Sequence, residues 1–173
     1  MPATFRLPLA ALLAAVLALP VLADETPEIQ RPLGIAQVDG AVHTLRQIPE
    51  ACTRLEGRFS GRRAAPYDMQ VVAVGGVCQA RAKFLDYAQA RPSAQAGWRL
   101  NDIIRVPSAS CPGLQAVVHV WRLPGAGAPP ALDAQGRSRI YLEDAKAQAQ
   151  AGQLAALPAY TAKLDVEGKP CGG

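Results

Sequence analysis

The stretch Gln115-Ala116-Val117-Val118-His119-Val120-Trp121-Arg122-Leu123 decides the fold class. Its centre is rich in β-branched and aromatic residues, so it reads as a strong strand. On its N-terminal side, Ser108–Gly113 is a turn-rich loop carrying Cys111, and Trp98–Val106 is a second strand closed by Pro107. Further upstream the apolar pattern keeps a period of two. Leu55 and Phe59 alternate with Arg54, Glu56, Arg58 and Ser60 across Thr53–Ser60, the signature of a half-buried strand. Tyr67–Val74 is rich in strand formers and ends at Gly75-Gly76, which can supply a hairpin turn. The return strand is expected at Val77–Tyr87, with Ala80, Ala82 and Phe84 on one face and Arg81 and Lys83 on the other.

Downstream, Pro124–Gly136 is too poor in large apolar residues to form a core element. Ser138–Glu143 has the composition of a further strand, and Ala145–Leu157 reads as an Ala/Gln-rich helix with Asp144 as N-cap and Pro158 as its stop. Thr161–Gly173 reads as irregular. The expected fold is therefore mainly β (or α+β): an antiparallel meander of five to six strands forming a small sandwich or barrel-like sheet, with one C-terminal helix.

The leader is a separate matter. Met1–Arg6 is a short positive region, Leu7–Leu19 an apolar run broken by Pro20, and Val21-Leu22-Ala23 sets small residues where a signal peptidase cuts. Residues 1–23 are expected to be a cleaved signal peptide, with no stable membrane span left afterwards. Residues 24–40 then form a loose arm, and residues 41–173 a single disulfide-stabilised, β-rich domain. The 173-residue chain has 18 Lys+Arg against 14 Asp+Glu, and loss of Arg6 with the leader lowers its net charge of +4 by one. Half of the chain is hydrophobic and 18% charged, which excludes a disordered polyelectrolyte and a coiled coil. The expected location is exported, periplasmic or secreted.

Export changes the reading of the four cysteines. An even number in an oxidising compartment suggests two disulfides. Of three connectivities the preferred one is Cys52–Cys78 with Cys111–Cys171, because the first pair brackets the turn-rich Ser60–Pro66 stretch and the second pins the tail to the Cys111 loop. None lies in a C-x-x-C pair, so neither a redox motif nor a zinc ribbon is indicated.

Catalytic groups are few. The chain has two histidines, His43 and His119. His119, in the most apolar strand, is a weak candidate base with Asp102 or Asp86 as orienting acid. A hydrogen-bonded strand histidine is the plainer alternative, and His43 reads as a surface residue. A solvated face is the plain reading of both aspartates. No serine occupies G-x-S-x-G and no Gly-rich phosphate motif is present. No cofactor and no metal is expected, and an enzyme is the less favoured class.

Arginine is the unusual feature. Arg54 and Arg58, Arg62 and Arg63 at a turn, and Arg81 with Lys83 would share one face or edge if the three N-terminal strands formed a single meander. The planar guanidinium binds carboxylate and phosphate in a bidentate way. The expected function is a non-catalytic binding or interaction module for an anionic glycan, lipopolysaccharide or an envelope protein. Nucleic acid is not the expected partner, because the patch lacks stacking aromatics beyond Tyr67. Two alternatives stand beside it: a secreted enzyme inhibitor presenting the 108–113 loop, and a hydrolase using His119 with a strand carboxylate.

Overall fold

The computed structural model describes residues 26–125, 150–151 and 157–171. It is mainly β, with two sheets. Strands β1 (His43–Ile48), β2 (Thr53–Phe59) and β3 (Tyr67–Ala73) form an antiparallel three-stranded sheet in chain order. The second sheet holds β4 (Lys83–Phe84), β5 (Arg99–Pro107), β6 (Leu114–Leu123) and β7 (Ala159–Gly168) in the order β4-β7-β6-β5, with β4 parallel to β7 and the rest antiparallel. The helix α1 (Tyr87–Ala90) is one turn, capped by the Asp86 carboxylate, which accepts from the Ala88 and Gln89 N–H groups.

The alternation read in the sequence places the core. Leu45, Ile48, Leu55, Phe59 and Tyr67 of the first sheet meet Ile104, Val106, Leu114, Ala116, Val118, Val120, Tyr160 and Ala162 of the second in one cluster. Gly57 belongs to this face by necessity. A Cβ there would sit on the Tyr67 ring and hydroxyl, so only glycine lets that ring lie across β2. Tyr67 packs edge-on against Phe59, and its hydroxyl lies 2.7 Å from His43 Nε2. His43 is thus part-buried and tied to β3 rather than a surface residue.

Three further expectations fail. Val77–Tyr87 does not return as a hairpin strand: Gly76 takes the positive φ (+91°), but the chain then crosses to the other sheet. Arg81 and Ala82 donate their backbone N–H groups to the Glu50 carbonyl, and only Lys83–Phe84 pairs, beside β7. Alanines at the alternating positions offer too little apolar area to hold a full strand against the core. The stretch from Thr161, read as irregular, is most of β7, which pairs with β6 along its whole length. The arm is not loose either. Glu28 and Ile29 donate to the Leu100 and Asn101 carbonyls, Gly34 to Arg105 and Gln37 to Pro107, so the arm runs parallel to β5 as an outer edge.

The signal peptide, the Pro124–Gly136 loop from residue 126 on, the Ser138–Glu143 strand and nearly all of the helix at 145–157 lie outside the described residues. The disulfides are Cys52–Cys78 and Cys111–Cys171, the preferred pairing. Two such bonds suit an oxidising, exported environment, and among the described residues no helix is long and apolar enough to cross a membrane.

Candidate functional site

The Cys111 loop joins β5 to β6 and is fixed from several sides. Ser108 N–H donates to the Leu114 carbonyl, Leu114 N–H to Cys111, and Cys111 N–H to the buried Ser108 Oγ. Ala109 N–H reaches across to the Gln37 carbonyl of the arm, and the Cys111–Cys171 bridge ties the loop to the tail. What it exposes is small: Ala109, Ser110, Pro112 and Gly113. The arm beside it exposes larger groups. Leu33 is 62% and Ile35 84% accessible, and Val38 and Val42 are also exposed. Leu33, Pro112 and Gly113 line one shallow hollow. The result is a short apolar strip on a backbone held by hydrogen bonds and a disulfide.

Behind the strip lies a polar anchor. Asp102 shares the inner face of β5 with Ile104 and Val106 and is wholly buried. It is neither solvated nor an orienting acid for His119, which faces the opposite side of the sheet. Arg31 of the arm donates Nε to Asp102 Oδ2 at 2.7 Å. Arg46, on the inner face of β1 with Ile48, brings Nη1 within 3.3 Å of the same oxygen without hydrogen-bond alignment. Burial holds the Arg46 pKa below its ordinary value, against the pull of the Asp102 charge, and the guanidinium lies 5.9 Å from the Tyr160 ring centroid. Asp102 Oδ1 and Asn101 Oδ1 have no partner among the described residues. Nearby, Glu28 of the arm accepts from Arg122 Nη2 at 2.6 Å and from Asn101 Nδ2. The bond from Arg122 holds the Glu28 carboxyl below its usual range. Arg31 and Glu28 are therefore how the arm is fastened to β5 and β6, and local sequence gave no sign of it because the partners lie 71 and 94 residues away.

The structure does not bring the six expected cations together on one face. Arg54 and Arg58 project from the outer face of β2, where Arg54 Nε donates to Glu56 at 2.8 Å. Arg58 and Arg62 both lie within 3.4 Å of Asp68. Arg63 is exposed at the β2–β3 turn. Arg81 sits by the Pro49–Ala51 turn at the other end of β2, and Lys83 belongs to the other sheet. Much of the positive charge on this face is thus locally offset.

His119 lies on the outer face of β6. Its Nδ1 is 3.4 Å from Asp165 Oδ2, again without hydrogen-bond geometry, and Lys163 Nζ is 2.8 Å from the other oxygen of that carboxylate. Burial lowers the His119 pKa, opposed by the Asp165 charge, which favours the neutral ring. Asp165 lies on β7, in the stretch whose sequence reads as irregular, and Asp86 is occupied as a helix cap. Neither the hollow lined by Val42, Glu56 and Asp68 nor the one lined by Leu33 and Pro112 includes His119. Among the described residues no group of three or more His, Cys, Asp or Glu side chains is placed to hold a metal ion. Compared with protein-family models, with curated proteins and with solved structures, the chain matches none.

Proposed function

We propose that the protein is a small exported binding module without catalysis that docks a protein partner on the strip formed by the arm and the 108–113 loop. One observation carries the reading: Leu33, Ile35 and Val38 stand exposed on a segment whose backbone is fixed to β5, next to a loop stapled by Cys111–Cys171. Exposed apolar groups on a rigid frame lose little conformational entropy on binding, and such patches mark protein contact sites. An inhibitor that presents the 108–113 loop is a special case of this reading. Its partner would have to accept the small side chains of Ala109, Ser110 and Pro112.

A second ligand, an anionic envelope polymer, would meet Arg63, Arg81 and Lys83 at separate points of the surface rather than on one face. None of these three has a carboxylate within ion-pair distance among the described residues. Immobilised protein challenged with envelope extract and eluted by salt separates the two. A protein retained through high salt and lost from the Leu33→Asp, Ile35→Asp double variant supports docking on the strip. Release of phosphate-rich or uronic-acid material at a few hundred millimolar salt, unaffected by that variant, replaces it with the polymer reading, since exposed ionic contacts are screened over about 8 Å at physiological salt.

A further inference from the structure

An exposed strand edge offers unpaired N–H and C=O groups to any other extended chain, and proteins usually blunt such edges. Among the described residues the two sheets have four edges, and three of them are blunted. The arm carries Pro27 and Pro32, β4 is two residues long, and β1 is bulged at Leu45 and runs into Pro49. The β3 edge is different. Tyr67–Ala73 pairs with β2 over seven residues without a register shift, contains no proline or glycine and carries one charge, Asp68. Three large apolar residues stand exposed on it or just beyond it: Val71, Val74 and Val77, the last 98% accessible.

The phase of that edge follows from its two ends. Val74 N–H donates to the Cys52 carbonyl, and Ser60 N–H donates to the Pro66 carbonyl. Even-numbered residues of β3 therefore turn their backbone groups toward β2. Tyr67, Met69, Val71 and Ala73 turn theirs outward, because hydrogen-bonded and non-hydrogen-bonded pairs alternate in an antiparallel ladder.

From this we infer that β3 pairs with β3 of a second copy of the chain, antiparallel about a two-fold axis at Gln70, joining two three-stranded sheets into one. A second copy is the occupant because the edge is complementary to itself in this register. All four outward residues find partners at once, Tyr67 with the partner's Ala73 and Met69 with the partner's Val71. The half-exposed Val71 gains an apolar neighbour on the inner face. On the outer face Asp68 stands opposite the partner's Val72, so the two like charges do not meet, and Gln70 faces the partner's Gln70. Beyond the strand, Val74 comes opposite the partner's Pro66. A single strand pair is smaller than a standard interface, so the dimer dissociates on dilution. The inference is independent of the binding strip, which lies on the edge of the other sheet.

Sedimentation of the chain beginning at Asp24 over a wide concentration range tests it. The mass should rise from monomer to dimer and go no further. Val71→Pro removes an outward N–H, which an edge strand tolerates, and should keep the chain monomeric with an unchanged circular dichroism spectrum. In air, Gln70→Cys should cross-link two chains through a non-hydrogen-bonded pair, where Cα atoms are about 4.5 Å apart. Asp68→Cys should not, because its counterpart lies four residues further along the ladder. Peptide mapping checks that both native bridges remain. A monomer at every concentration, a Val71→Pro variant that still dimerises, or Asp68→Cys cross-linking as readily as Gln70→Cys would each overturn the proposal.

Discussion

The three-stranded sheet carries arginine–carboxylate contacts on both faces, and they are unlike. On the inner face Arg46 meets Asp102, whose side chain has no solvent exposure, with Arg31 closing over the same oxygen. On the outer face Arg54 meets Glu56, and Arg58 and Arg62 share Asp68 in the open, with Arg58 49% and Arg62 65% exposed. The chemistry is the same and the surroundings differ. A charge taken out of water keeps its cost unless every partner stays in place, whereas an exposed pair trades ion–water contacts for ion–ion contacts at nearly equal free energy. Location, rather than the number of arginines, decides which contact the fold depends on.

Breaking the inner contact should produce the largest effect. Asp102→Ala leaves Arg46 buried with no counter-ion, a change that costs about 3–5 kcal/mol when one partner of a buried pair is removed. Urea denaturation should show the loss, and a change under about 1 kcal/mol would mean that water already reaches the site. Replacing the pair together, Arg46→Met with Asp102→Leu, sharpens the point. That double variant should recover most of the loss, since apolar residues of similar volume often substitute for a buried pair at no net cost. A double variant as weak as Asp102→Ala would show that the charges also fix the packing of the two sheets.

The next effect belongs to the arm. Arg31→Ala removes one charge-assisted bond but leaves Arg46, so the expected loss is about 1.5–3 kcal/mol, the range for hydrogen bonds to charged groups. Hydrogen exchange should localise it: the Glu28, Ile29 and Gly34 amides, which donate to β5, should exchange faster while those of β6 stay protected. Uniform deprotection would sink the idea that Arg31 fastens the arm in particular.

This contrast also marks what local sequence carried. Strand β2 is legible from its alternation of large apolar and polar residues, β3 and β6 from their strand-forming composition and β5 from the proline that closes it, and the disulfides from their place relative to those strands. β7 carried the same signal, Tyr160, Ala162, Leu164 and Val166 against Thr161, Lys163, Asp165 and Glu167, and its position beyond Pro158 near the end of the chain masked it. Asp102 is in phase with Ile104 and Val106 and is buried with them, contrary to the solvated face expected of an aspartate. Its partners were invisible, since Arg31 and Arg46 arrive from segments far away in the chain. The arm was illegible for the same reason: prolines and charges describe a loose tail until the edge they lie on is known.

Acid should expose a smaller difference between the faces. Burial lowers the pKa values of His43 and His119, so the folded state favours the neutral rings. Stability from these groups is complete above the unfolded histidine value near 6.5 and falls as pH drops through it toward the folded values. The bond from Arg122 depresses the Glu28 carboxyl, which gives a separate decline beginning near its ordinary value of 4.5. His119→Gln should flatten the first decline and leave the second. An unchanged slope between pH 7 and 5 would mean that the Asp165 charge offsets burial fully at His119.

The smallest effect is expected on the outer face. Arg58 and Arg62 compete for one carboxylate, so removing either leaves Asp68 still paired. Arg58→Ala should therefore change stability by less than about 0.5 kcal/mol, as exposed sites usually do. Charge reversal at Arg58, Arg81 and Lys83 together should do little more, because the three lie on separate parts of the surface. The double variant Arg58→Ala, Arg62→Ala gives the informative measurement. If each arginine acts only as a spare for the other, the double loss exceeds the sum of the single losses by an amount that shrinks as salt is raised. Additive losses that persist in high salt would place Asp68 in a drier setting than its exposure allows. The outer face would then have to be treated like the inner one.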